Sequence, residues 1–254
     1  MTTTVQTPAT QAAEKIPMTS TRKTALVAGI FYLITFVSIP TLALYGPVKN
    51  HRDWILGTGG HTGVLVGGFL EVIVALAGIG TAITLYPVVK RQNEGFALGF
   101  VASRVIEAGL IFTGVLSLLS LVTLRQDLGG ANAASLVTTA ASHVATYKWT
   151  FVLGQNLMPG VNALLLGTLL YRSRLVPRAI PMLGLIAGPL LIASVIATIF
   201  GGIKLGSPIL AGLPVAAWEF SLGVWLVVKG FKSSPMTAEM TAASKPLAYQ
   251  DAAV

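Results

Sequence analysis

The 254-residue sequence contains no cysteine, which excludes disulfides, thiolate nucleophiles and cysteine-ligated iron–sulfur clusters. Charge is nearly as scarce. Only 10% of the residues are Asp, Glu, Lys or Arg, against about 25% in soluble globular domains, and so few cannot cover a water-facing surface. Catalytic signatures are missing too: there is no G-x-S-x-G, no H-E-x-x-H and no Walker loop. The three histidines, His51, His61 and His143, show no metal-ligand spacing, so neither a metal nor a cofactor is expected.

What the chain has in abundance is apolar length. Hydrophobic residues make up 54% of it and glycine contributes 27 positions, with a mean hydropathy of +0.76. Runs spread over almost the whole sequence predict a polytopic membrane protein rather than a soluble domain with one anchor. Residues 24–48, 149–171 and 179–203 carry no charge and are long enough to cross the bilayer. Residues 62–87, 96–123 and 209–228 are equally apolar but interrupted by Glu71, by Arg104 with Glu107, and by Glu219. None alternates with period two, so a β-barrel is excluded. The expected fold is all-α, a six-helix transmembrane bundle over residues 22–230, with tails at 1–21 and 231–254 that lack an apolar period.

The net charge of +8 is sorted by side. The N-terminal tail, the second and fourth connections and the C-terminal tail hold eleven Lys and Arg, the other connections five. This asymmetry places both termini in the cytoplasm. It also accounts for the basic balance without a nucleic acid, whose binding surface would need denser basic runs with interleaved aromatics. The expected partner is the lipid bilayer. The one long connection, 124–147, follows Gly129 and Gly130 with an Ala- and Thr-rich stretch that reads as a short interfacial helix on the outer side.

Four charged residues remain inside the spans. At 1.5 Å per residue, Glu71, Glu107 and Glu219 all lie roughly 12 to 16 Å from a helix end, near the bilayer midplane. A charge facing lipid there costs about 2.5 to 3.5 kcal/mol even on insertion-based scales, so these side chains should turn inward. Glu71 shares its face with Gly67, Gly68, Ala75 and Gly78, and Glu219 with Gly212, Ala216 and Gly223, small-residue stripes suited to close helix packing. Arg104 and Glu107, three residues apart, can pair on one face. One arginine cannot neutralise three glutamates, so their convergence would make a proton-exchanging site; the alternative is an inert polar clamp between helices.

Residues 154–162 (GQNLMPGVN) add Gln155, Asn156 and Asn162 around Pro159. Proline removes a backbone donor and frees carbonyls about one turn earlier, which fits either a packed kink or a broken helix lining a substrate path. By helical rotation Asn156 and Asn162 point about 120° apart, so they should not line one narrow pocket together. The candidate site is therefore Glu71, Arg104, Glu107, Asn156 and Glu219, for a small-molecule ligand or protons.

Two stretches, TRKTALVAGIFYLITF (21–36) and LYPVVKRQNEGFALGFVASRVIEA (85–108), resemble the bacterial integral membrane proteins of domain-of-unknown-function family four-three-eight-six. The likeness covers about residues 22–230 and implies a six-helix protein of the bacterial plasma membrane without supplying catalytic residues. In the second stretch Pro87 should stop the second helix, and Asn93 should cap the third with Glu94 in its first turn. Three functions follow as expectations. The chain binds or moves a solute or protons at the midplane; it is an intramembrane enzyme using paired carboxylates; or it is a structural or sensory subunit acting through a partner.

Overall fold

The computed structural model describes residues 19–51, 53–57, 59–127, 132–202, 204 and 209–233. Apart from their inner ends, the two expected tails lie outside the described residues. The first helix, α1 (Ser20–Ile34), begins within the stretch expected as tail because Thr19 caps it, its hydroxyl accepting from the Arg22 amide. Among the described residues every regular element is helical. After α1 come α2 (Thr41–Leu44), α3 (Gly46–Asn50), α4 (Thr62–Val89), α5 (Glu94–Gln126), α6 (Ala133–Val152), α7 (Met158–Ser173), α8 (Ala179–Ile199) and α9 (Ile209–Val228).

Among the described residues five stretches are long and apolar enough to cross a membrane: Ser20–Leu44, Thr62–Val89, Glu94–Gln126, Ala179–Ile199 and Ala211–Val228. A further rod, fourth in chain order, is α6 and α7 joined end to end through a π-helical turn, Leu153–Leu157. The bundle thus has six rods. Large apolar side chains such as Phe69, Ile83, Leu116 and Ile186 are exposed along its flanks, as a lipid-facing surface requires.

The first span is not the continuous helix over 24–48 that its hydropathy suggests. A 3-10 turn (Thr35–Ser38) follows α1, and the chain then bends into α2 and α3. Pro40 has no amide to offer the Phe36 carbonyl, which instead accepts at 3.2 Å from the Ile39 amide three residues on. Pro47 sits in the first turn of α3, where its missing donor is harmless. The second correction concerns 124–147. Its described part from Ala133 onward is no separate interfacial helix but the beginning of the fourth rod, and α5 itself runs to Gln126. Residues 133–152 contain neither proline nor glycine, so nothing stops the helix, and Asn132 caps its start by accepting from the Ala134 amide.

At the opposite end, Asn93 caps α5 through the Phe96 amide, with Glu94 in the first turn. Helix α4 continues past Pro87 to Val89; the proline disturbs only the last turn. The start of α1 and the end of α9 meet at this side of the bundle, where the Arg22 guanidinium donates to the carbonyls of Leu226, at 2.9 Å, and Val227. The α1–α9 contact along this seam is set by small residues. A Cβ on Gly29 would stand 2.8 Å from the Gly223 carbonyl oxygen and 2.9 Å from the Val227 nitrogen, so only glycine lets the two backbones approach so closely.

Candidate functional site

Three rods supply the charged centre. Arg104 on α5 is 2% exposed and its Nη1 donates to both oxygens of Glu107, at 3.1 and 3.0 Å, one helical turn along. Its Nη2 donates across the bundle to Glu219 Oε1 on α9 at 2.6 Å. Asn162 on α7 donates to Glu107 Oε2 at 2.6 Å. The guanidinium also lies over the rings of Tyr32 and Phe100, at 5.5 and 5.7 Å, where ring faces favour a cation. One guanidinium fork thus serves two carboxylates that no lysine could bridge with the same geometry. Asn162 Oδ1 and Arg104 Nε are buried with no hydrogen-bond partner among the described residues.

Glu71 stands apart from this centre. It is 1% exposed on α4, and its partners are all neutral donors: the Tyr45 hydroxyl at 3.3 Å, the Tyr147 hydroxyl at 3.1 Å and Gln155 Nε2 at 3.0 Å. The three glutamates therefore do not converge. Two gather at Arg104 and the third is enclosed by an aromatic and amide cage. Gly67, one turn before Glu71, leaves the space that the Tyr45 ring occupies. The tyrosines were not legible as site residues, since Tyr45 follows the proline-broken end of the first span and Tyr147 falls in a stretch that hydropathy reads as a loop.

A cavity of about 320 Å³ lies against the charged centre, lined by Arg104, Glu107, Glu219, Gln155, Asn156 and Pro159 together with the bent stretch Thr35–Leu42 and α9. Of the five sequence candidates, four line it and Glu71 does not; Gln155 lines it while donating to Glu71, so this side chain joins the two clusters. Asn156 lines the cavity whereas Asn162 reaches Glu107 from elsewhere, consistent with their divergence along the helix. The π-turn is what turns Gln155 and Asn156 together toward this space, and such turns recur at functional sites. Ile39, Leu42 and Leu213 belong to the cavity wall and are also 59%, 45% and 58% exposed on the apolar flank. The cavity therefore reaches the lipid-facing side of the bundle, between the bend at Pro40 and α9. Phe36 and Phe220 meet edge to face beside it, with ring centroids 5.4 Å apart.

The sequence profile of the family described as Domain of unknown function (DUF4386) matches residues 27–230. The chain belongs to this family. No curated protein and no solved structure matches it. The DUF4386 match spans both clusters, from the α1 face that carries Tyr32 through Glu219 on α9. Membership supplies a domain of unknown function and the long apolar helices point to a membrane protein, so the chemistry of the site has to be argued from its own residues.

Proposed function

We propose that this protein binds a small solute or protons at the cavity beside Arg104, and moves them across the bacterial plasma membrane, with both termini in the cytoplasm. The observation that carries this reading is the cavity itself, which brings Glu107, Glu219 and the Arg104 guanidinium to the wall of one space inside the bundle that opens on its apolar flank. With both carboxylates ionised, the centre holds two negative charges against one positive. A low-dielectric surrounding makes that imbalance costly, so the centre favours uptake of a proton or of a cationic, hydrogen-bonding solute. The side opening at Ile39, Leu42 and Leu213 supports entry from the lipid phase by a molecule with some apolar surface. The excess of Lys and Arg in the tails and even-numbered connections supports the orientation.

The enzyme reading receives less support. Acid and base roles need two carboxyl groups held in different environments, whereas Glu107 and Glu219 share one guanidinium.

The test is proton flux into liposomes carrying the purified protein, followed with an entrapped pH-sensitive dye under an imposed gradient. Glu107→Gln and Glu219→Gln should each lower the flux about tenfold or more while the thermal unfolding midpoint stays near that of the wild type. Wild-type flux no greater than that of empty liposomes, or unchanged flux in both variants, would overturn proton movement.

A further inference from the structure

A second cavity, of about 260 Å³, lies at the end of the bundle opposite the start of α1 and the end of α9, between α3, the Trp54–Leu56 turn, α5 and α6. Its wall is apolar where Val48, Ile55 and Leu121 contribute, and cationic where Lys49 and Lys148 do, with His51 between the loop and the helices. No Asp or Glu lines it. Neither lysine forms an ion pair with a carboxylate among the described residues.

These two lysines sit on the side that the charge count makes poor in cations, and among the described residues neither side chain is hydrogen-bonded to a carbonyl or carboxylate. Arg125 on the same side is bonded in this way: it donates to the Gly57 carbonyl and stacks at 4.3 Å on Trp54. Lys49, by contrast, rests 5.7 Å above the Tyr147 ring. Burial pushes its ammonium below the usual lysine range, Glu71 partly offsets this, and the like charge of Lys148 pushes the same way as burial. Two cations sharing a half-buried, acid-free cavity are compatible when an anion sits between them. Trp149, next in the chain to Lys148, is exposed on the flank, and exposed tryptophan marks the headgroup level.

We infer that this cavity is a binding site for the phosphate group of an anionic phospholipid, the two lysines holding the phosphodiester and the apolar wall taking the start of an acyl chain. The combination of a cationic rim with an apolar wall at headgroup depth fits an amphiphile better than free phosphate, which needs no apolar surface. This site is independent of the Arg104 centre and stands whether or not that centre moves protons.

Native mass spectrometry of the detergent-solubilised protein, supplied with phosphatidylglycerol or phosphatidylcholine, tests it. The wild type should retain phosphatidylglycerol in preference to phosphatidylcholine, and the double variant Lys49→Gln/Lys148→Gln should lose that preference by about tenfold or more. Equal retention of the two lipids by the wild type, or an unchanged preference in the variant, would overturn the site. Displacement of the lipid by low millimolar inorganic phosphate would overturn the lipid as occupant. A measurement on the wild type alone guards against a variant that fails to fold: phosphatidylglycerol, and not phosphatidylcholine, should protect Lys49 and Lys148 from an amine-reactive reagent, and no protection would overturn the proposal equally.

Discussion

Arg104 and Glu219 lie 115 positions apart in sequence, yet their side chains meet at 2.6 Å, 2% and 13% exposed. This contact closes the bundle electrostatically, because it joins α5 in the middle of the chain to α9 at its end. It also makes Arg104 the common partner of both carboxylates on the cavity wall.

Removing the arginine should therefore cost more than removing either acid. Arg104→Met leaves two carboxylates without a cation in an apolar interior, and breaking a buried pair in this one-sided way costs about 3 to 5 kcal/mol. Thermal unfolding in mild detergent should show a large loss of stability. Neutralising all three groups together, as Arg104→Met/Glu107→Gln/Glu219→Gln, should recover most of it, and Arg104→Lys should fall between, since an ammonium cannot serve both carboxylates as a planar fork does.

Filling the cavity should separate function from folding. The nearest atom to a Cβ built on Gly212 is Asn156 Oδ1, at 3.9 Å, so Gly212→Val has room and projects into the space beside Asn156. Proton flux or solute binding should drop while the unfolding midpoint holds. The contrasting control is Gly29→Val, whose Cβ meets the backbone of α9 and should destabilise by about 1 to 3 kcal/mol through overpacking.

The Glu71 cage predicts graded and then abrupt loss. Tyr45→Phe, Tyr147→Phe and Gln155→Leu each delete one donor, and a single hydrogen bond between membrane helices is worth about 0.6 kcal/mol. Each alone should shift the unfolding midpoint little. The triple variant leaves a buried carboxylate with no donor at all and should lose far more than the sum of the singles, a departure that a set of double and triple variants would measure.

Lys49 carries a pH signature. Its pKa in the folded protein is depressed from the ordinary 10.5, chiefly by burial, so the folded state binds fewer protons than the unfolded one in the window below that value. Stability must then rise with pH through that window, and the penalty stands in full below the folded pKa. In lipid-free detergent, Lys49→Gln should raise stability near neutral pH and flatten its rise toward alkaline pH; a variant with the wild-type slope would show that Lys49 does not cause it.

Much of the architecture was legible because a membrane interior imposes one rule on every residue in it. Uncharged runs of more than 20 residues, such as 179–203, had to be helices, and Asn93 with Glu94 announced the start of α5 by chemistry that acts within one turn. The Arg104–Glu107 pair was legible for the same reason, since three residues on a helix define a face. The bend at Pro40 was written in the proline and yet overridden by hydropathy, which averages over a window and cannot see one missing amide. The fourth rod was misplaced at its start because Ala, Thr and Ser between 133 and 146 are too polar for a span and still entirely capable of a helix.

Sequence by itself therefore determined a six-helix membrane bundle and the inward turn of four charged residues, since each follows from length along one helix and the cost of charge in hydrocarbon. Which of those residues meet was decided only by tertiary structure. The choice of Glu219 over Glu71 as the second partner of Arg104 depends on how α4, α5 and α9 rotate against one another, and that rotation is set by close packing at glycines such as Gly29 and by the space Gly67 leaves for Tyr45. Such packing is a property of pairs of surfaces, and no single helix encodes it.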